Sequence, residues 1–314
     1  MKFDVNLSIL FTELPLLERP AAAAKAGFDA VELWWPFDRP CPADREIDAL
    51  RRSIEDAGVR LVGLNFDAGD MAAGDRGLLS RPDGSARFRA NIDVAVGLAG
   101  ALGCRVLNAL YGNGVPELSP DAQHDLALSN LSRAAEAASR IGATVVVEAL
   151  NSYESPTYPI TSSAAAFEVI DRVGAANVAF LADLYHLHRM GEDVLALIDA
   201  SAGRFGHVQI ADDPGRGRPG AGAMPYDQIL ERLDASAYRG PIGLEYRPDG
   251  PSAESFGWAD RWMPDEPVSG ADARGALDSR NSQGAQEGRG ARDAQDGRAA
   301  RGAQPSAEQA KSGE

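Results

Sequence analysis

Short runs of β-branched and apolar residues alternate along this chain with longer amphipathic or alanine-rich segments, and several of the longer segments stop at a glycine. Two parallel strands of one sheet can be joined only by a crossover, usually a helix, whereas antiparallel strands need only a tight turn. The run Thr144-Val145-Val146-Val147-Glu148 is the sharpest example. It is apolar without alternation, as expected of a strand covered on both faces, and it ends abruptly in a carboxylate.

Taken in order, strands are expected at 3–9, 29–34, 60–64, 105–110, 144–148, 177–182, 206–211 and 242–246. Between them helices are expected up to residue 26 and at 44–57, 87–102, 120–141, 162–173, 192–200 and 226–233, with a long polar loop at 65–84. Gly27, Gly58, Gly103 and Gly142 stand just past four of these helices, where a left-handed cap is wanted, and Ser119 caps the start of another. Strict alternation over about eight units points to an α/β fold, a (β/α)8 TIM barrel of roughly 250 residues. An open doubly wound sheet usually carries a Gly-rich turn after its first strand, and residues 9–13 contain no glycine.

With 44% hydrophobic and 25% charged residues the chain has the composition of a folded enzyme, and no apolar run approaches a membrane span. Asp4 and Asn6 interrupt any signal-like apolar core at the start, so a cytoplasmic protein is expected. The two cysteines, Cys41 and Cys104, are far apart and show neither CxxC nor zinc-type spacing. A net charge of −15 argues against nonspecific nucleic-acid binding, and an anionic small molecule would need local positive charge from arginines or a metal. The barrel is expected to occupy residues 1–262. From 263 to 314 the chain is rich in Gly, Ala, Ser, Gln, Arg and Asp and nearly empty of large apolar residues, which is the composition of a low-complexity, disordered tail.

In a barrel the carboxyl ends of the strands converge on one mouth. Glu148 ends the fifth strand, Asp183 the sixth, Gln209 lies in the seventh and Glu245 near the end of the eighth. One such group alone could be a salt-bridged residue at a strand end. Four on successive strands make an all-oxygen site suited to a hard divalent cation, Mg²⁺ or Mn²⁺, rather than zinc. His186 and Arg216 would flank it as donors for a carbonyl or carboxylate, and Glu154 could take a substrate hydroxyl; for each, a loop residue held by its neighbour is the plain alternative. Asn6, Glu32, Asn65 and Asn108 sit at earlier strand ends but carry a weaker signal, because asparagine also suits turns. His188 belongs with the following helix and His124 reads as helix surface, so neither receives a role. Two carboxylates on either side of a chelated hydroxycarbonyl can pass a proton between adjacent carbons through an enediolate, which is aldose–ketose isomerisation or epimerisation. Phosphoester hydrolysis on such a barrel usually draws on more histidines than this chain offers.

The segments Asn6-Leu7-Ser8, Gly69-Asp70-Met71-Ala72-Ala73-Gly74-Asp75-Arg76-Gly77, Asp183-Leu184-Tyr185-His186, Gly206-His207-Val208-Gln209-Ile210-Ala211-Asp212 and Gly243-Leu244-Glu245-Tyr246 resemble the hydroxypyruvate isomerase family of the xylose isomerase-like barrel superfamily. The resemblance runs from the first strand to about Trp262. It implies interconversion of hydroxypyruvate and 2-hydroxy-3-oxopropanoate, with a place in glyoxylate and glycerate metabolism. It assigns Glu148 and Glu245 as the acid/base pair and adds Asp183 and Gln209 as further ligands of a divalent metal. His186 and Arg216 would bind substrate. Two departures from the family pattern stand out: Arg218 and Ala223 stand where acidic residues are usual, and Ala149 where proline is common. Related barrels acting on 2-oxo-tetronate share nearly the same motifs, and a barrel that only binds a sugar acid is the alternative outside catalysis. The expected partner is a small hydroxy-carbonyl acid, with neither nucleic acid nor membrane, and a homo-oligomer is admissible.

Overall fold

The computed structural model describes residues 1–262, so the tail expected at 263–314 lies outside the described residues. All eight expected strands form: β1 (Phe3–Asn6), β2 (Ala30–Leu33), β3 (Arg60–Asn65), β4 (Val106–Asn108), β5 (Thr144–Glu148), β6 (Val178–Asp183), β7 (Phe205–Ile210) and β8 (Ile242–Leu244). Sequence neighbours are spatial neighbours, every pairing is parallel, and β8 pairs back onto β1 to close the barrel. Closure leaves no unpaired strand edge. Outside the barrel lie α1 (Arg19–Lys25), α2 (Asp44–Ala57), α3 (Pro82–Ala101), α4 (Pro120–Ser139), α5 (Ser163–Val173), α6 (Leu184–Arg189), α7 (Val194–Ser201) and α8 (Tyr226–Ala235). Among the described residues no helix is long and apolar enough to cross a membrane.

The differences from expectation have local causes. α3 begins at Pro82, five residues before the expected start at 87, because proline fits the first helical turn, where its missing N–H has no partner to lose. α6 is an extra short helix that begins directly after β6, with the Asp183 carboxylate accepting from the N–H groups of Tyr185 and His186 as its cap. It therefore carries both His186 and His188. His124 is half-buried rather than on the surface, its Nδ1 lying 3.0 Å from the Tyr111 hydroxyl. Cys41 and Cys104 are free thiols, as their spacing suggested.

Alternate side chains of each strand face the barrel axis. On the outer face Val145, Val147, Phe180 and Ala182 join the core between barrel and helices. Along the axis the two halves differ. Below Glu148 and Asp183 the same-facing residues are the buried, apolar Val146 and Leu181. On the β1, β2, β7 and β8 side the interior is polar down to Asp4 and His207, both fully buried. Two glycines leave space for Glu32 within this polar half. A Cβ added at Gly63 would lie 3.2 Å from the Glu32 Cβ, and one at Gly243 would lie 3.0 Å from Glu32 Oε1.

The loop between β3 and α3 folds over the mouth and is tied down at several points. Its Asp67 is buried and paired with Arg87 at 2.6 Å, Gly77 N–H donates to Ala68 O at 2.9 Å, and Gly112 N–H donates to Arg76 O at 3.0 Å. Gly77 has φ +104° and its Cα passes so close to the chain after β4 that an added Cβ would sit 2.1 Å from Leu110 O. Gly77→Ala should therefore cost about 2 kcal/mol or more through backbone strain and overlap, a loss of about 4–8 °C in Tm. Calorimetry checks this, and an unchanged Tm would show that the loop does not pack as described.

Candidate active site

A cavity of about 620 Å³ opens at the carboxyl ends of the strands, and Glu148, Glu154, His186, Arg216 and Glu245 all line it. Five of the seven residues singled out from sequence therefore share one wall system. The other two, Asp183 and Gln209, lie just beneath: they are 1% and 2% exposed and face each other in register across β6 and β7.

Glu148 is carried to the mouth by β5, and its Oε2 accepts from Asn108 Nδ2 at 2.7 Å. Burial, and then the nearby charges of Glu245 and Asp183, hold its carboxyl well above the usual range. Glu245, one residue past β8, is supported by more donors. Its Oε1 accepts from Asn6 Nδ2 and from Trp34 Nε1, each at 2.8 Å, and its Oε2 is paired with the Arg216 guanidinium. Burial raises this carboxyl too, with Arg216 opposing the rise. The two acids thus sit in different surroundings, one nearly donor-free and one held by a cation, an indole and an amide.

Arg216 is the counter-charge of the mouth. It sits in the loop after β7 with φ +56°, a left-handed conformation rare for a non-glycine residue. From there its guanidinium reaches Glu245, Glu154 at 3.6 Å and Asp183 at 3.7 Å. Burial works against its charge, but these carboxylates outweigh it and push its pKa up. Glu154 also accepts from the Tyr185 hydroxyl at 2.7 Å, which fixes its head beside Arg216.

His186 is held by its ring nitrogen Nδ1, which accepts the Asn151 backbone N–H at 3.1 Å. Nε2, 3.5 Å from Asp183 Oδ2, is left as the ring's N–H. Burial, reinforced by Arg216, lowers its pKa well below the usual value, so the ring is a neutral donor. Asp183 spends Oδ1 on capping α6, while Oδ2 is buried without a hydrogen-bond partner. Burial, opposed by Arg216, pushes its carboxyl up to about 8.

Gln209 shows the same asymmetry: Nε2 donates to Glu32 Oε1 at 2.7 Å and the buried Oε1 has no partner. Two unpaired buried oxygen acceptors on adjacent strands, beside two carboxylates, are the donor set a hard divalent cation takes. Glu148, Asp183 and His186 also place one potential ligand atom each within 4.8 Å of one another. The residues present could hold a metal ion.

Several residues here carried little or no signal in the sequence. Asn6, Asn108 and Glu32 were weak strand-end candidates; the structure makes Asn6 the link between Glu32 Oε1 and Glu245 Oε1 and gives Asn108 to Glu148. Trp34 and Arg76, both lining the cavity, received no role. Arg76 belongs to the distinctive loop at 69–77, and that loop was the signal that could have found it. His188 remains outside the cavity lining, 4.0 Å from Asp213.

The chain has known relatives. The family described as Xylose isomerase-like TIM barrel matches residues 20–265. A provisionally named hydroxypyruvate isomerase of Streptomyces coelicolor is 60% identical over 264 residues, covering 82% of this chain and 95% of that protein. The 2-oxo-tetronate isomerase of Pectobacterium atrosepticum is 34% identical, covering 83% of this chain and 98% of that protein. Among solved structures, that of AP endonuclease, family 2, from Brucella melitensis superposes with a TM-score of 0.77 at 36% identity, over 84% of this chain and 99% of the other. The closed barrel, the carboxylate-lined mouth and these relatives agree: the chain belongs to the xylose isomerase-like TIM barrel family and is a hydroxypyruvate isomerase-like isomerase.

Proposed function

We propose that the chain interconverts hydroxypyruvate and 2-hydroxy-3-oxopropanoate by moving a proton between adjacent carbons, with Glu148 and Glu245 as the exchanging pair. One observation carries the reading: two buried carboxyl groups line a single small cavity in environments that set them apart. Arg216, Asn6 and Trp34 favour Glu245 as a carboxylate, whereas Glu148 has the single support of Asn108 and favours the neutral acid. Glu245 takes a proton from C3, an enediolate forms across C3 and C2, and Glu148 delivers a proton to C2, while the hydroxyl proton passes from O3 to O2. The neutral His186 N–H and the Arg216 guanidinium stabilise the oxygens that gain negative charge. Glu148, Asp183, Gln209 and Glu245 would hold a divalent cation, which supplies Lewis-acid stabilisation of the enediolate. Arg76, at the cavity rim, is suited to the substrate carboxylate.

A second reading within the same class, isomerisation of the longer 2-oxo-tetronate, is favoured by the space beyond Trp34 and Met71. There an adjoining cavity of about 480 Å³ shares those two residues and adds Trp35, Phe37 and Arg19. Phosphodiester hydrolysis fits less well, since His186 is the one histidine lining the site cavity.

Glu148→Gln and Glu245→Gln should each reduce turnover by at least about a thousandfold while leaving Tm near wild type. Turnover and solvent-deuterium incorporation on hydroxypyruvate and 2-oxo-tetronate check this, and full activity in either variant overturns the assignment. Arg76→Ala should raise KM about ten- to a hundredfold with kcat little changed, the signature of a lost charged contact to bound substrate. Chelation should expose a pH dependence. The Asp183 carboxyl binds its proton more tightly folded, at about 8, than an aspartate in the unfolded chain, so its contribution to stability is full at low pH and lost as pH rises toward 8. The Tm of chelator-treated protein should therefore fall between pH 6 and 8, by at least the slope of one titrating group since Glu148 is raised in the same sense, and saturating Mn²⁺ should flatten it. A Tm indifferent to Mn²⁺ across that window counts against the cation site.

A further inference from the structure

Glu32 lies a level below the mouth, buried, and outside the cavity lining. Its carboxylate is fully used: Oε1 accepts from Asn6 Nδ2 at 2.9 Å and from Gln209 Nε2 at 2.7 Å, and Oε2 is 2.6 Å from His207 Nε2. Space for it is provided by glycine at two inward positions, Gly63 and Gly243, where any side chain would approach it within 3.2 Å. A carboxylate enclosed in this way costs several kcal/mol of desolvation, and a barrel interior filled with apolar side chains would avoid that cost.

What the arrangement achieves is a choice between the two ends of an amide. A glutamine can present either oxygen or NH2 to a site, and only the oxygen binds a cation. Glu32 has no proton donor to offer, so the end of Gln209 that meets it must be the NH2, and the free end is the oxygen. Asn6 is sorted by the same acceptor. Its NH2 is shared between Glu32 and Glu245, and its oxygen accepts the Ser8 N–H at 2.9 Å. We propose that Glu32 is a positioning residue for the proposed cation site, fixing Gln209 with its amide oxygen toward the cation while His207 balances its charge. The inference rests on the cation-site reading above.

The test measures Mn²⁺ binding by the full chain, from the electron paramagnetic resonance signal of free Mn²⁺ during titration, so that no activity is required. Glu32→Met removes the acceptor and lets Gln209 turn its NH2 inward, and Mn²⁺ affinity should fall about 10–100-fold. Glu32→Gln keeps an oxygen for Gln209 and Asn6 and turns its own NH2 to the His207 ring, so affinity should stay within about threefold of wild type. The decisive arm is a second change. A carboxylate has no wrong end, so Gln209→Glu should restore Mn²⁺ binding in the Glu32→Met background. In the native background the same substitution should weaken binding, because two buried carboxylates would then face each other. A purely structural Glu32 would produce no such reversal of sign.

Unchanged Mn²⁺ affinity in folded Glu32→Met, or failure of Gln209→Glu to restore it, overturns the proposal while leaving the cation site standing. If Glu32→Met does not fold, as judged by circular dichroism, Glu32→Gln decides: a loss greater than tenfold in the folded variant would mean that charge rather than amide sorting is what matters. If the wild-type chain binds no Mn²⁺, the cation-site reading and this inference fall together.

Discussion

The feature on which the rest of the structure depends is an excess of buried negative charge along the axis of the barrel. Asp4, Glu32, Glu148, Asp183 and Glu245 are each 5% exposed or less, and the cationic partners beside them are the partly buried Arg216 above and the buried His207 below. Two unit charges 4 Å apart interact by about 4 kcal/mol at an effective dielectric of 20, so this arrangement is intolerable unless each acid is protonated, paired or given donors. All three solutions are used. Arg216 and the Asn6 and Trp34 donors serve Glu245, and Asp183 takes two backbone N–H groups from α6. Burial keeps Glu148 and Asp4 inclined to hold their protons. At the lower level Glu32 outweighs the desolvation of His207 and raises its pKa to about 9.

That distribution explains why the barrel is built unevenly. Where Val146 and Leu181 fill the axis, β5 and β6 are packed as an ordinary hydrophobic interior and present Glu148 and Asp183 only at their last residues. On the opposite side the polar residues extend two levels down, and the bulky layers usual in such barrels are replaced by Glu32, His207 and the space at Gly63 and Gly243. The register shift of β7 belongs to the same adjustment. Phe180 pairs with Phe205 and Leu181 with His207, which leaves Gly206 as the extra residue, and a Cβ there would lie 2.6 Å from the Val146 side chain. The bulge sets the facing of His207 and Gln209, so the position of the proposed cation ligand traces back to a glycine three residues earlier.

The barrel was legible because its signal is repeated: one doubtful strand such as 242–246 is supported by seven others, and helix ends at Gly58 and Gly142 are marked by the residue the left-handed cap requires. The mouth residues were legible for a related reason. Glu148 and Asp183 stand at the ends of apolar runs, where no packing argument accounts for a carboxylate. Asn6, Glu32 and Asn108 were only weakly legible, since an asparagine at a strand end is equally a turn residue and a lone glutamate there is equally a salt-bridged one, and what distinguishes them is a partner 26, 239 or 40 positions away. The half-burial of His124 depends on contact with Tyr111 across a loop, and helical periodicity carries no information about it. Register shifts are invisible for the same reason: Gly206 reads as an ordinary strand residue until its partner strands are known.

The acids that make the mouth suited to proton transfer also set a condition on what can enter it. A small anionic substrate entering the cavity meets the carboxylates of Glu154 and Glu245, while Glu148 and the deeper Asp183 are inclined to hold their protons, and the chain as a whole carries −15. Arg216 is already committed to three of those acids, so it cannot supply the whole attraction. Arg76 and Arg247, which reach the cavity from loops after β3 and β8, offer further positive charge, Arg247 from an exposed position. On the proposed reading an anionic end is held near those two arginines while the carbons that exchange the proton lie between the two glutamates. The order follows from where positive charge is on offer, because turning the substrate round would take its carboxylate away from Arg76 and Arg247.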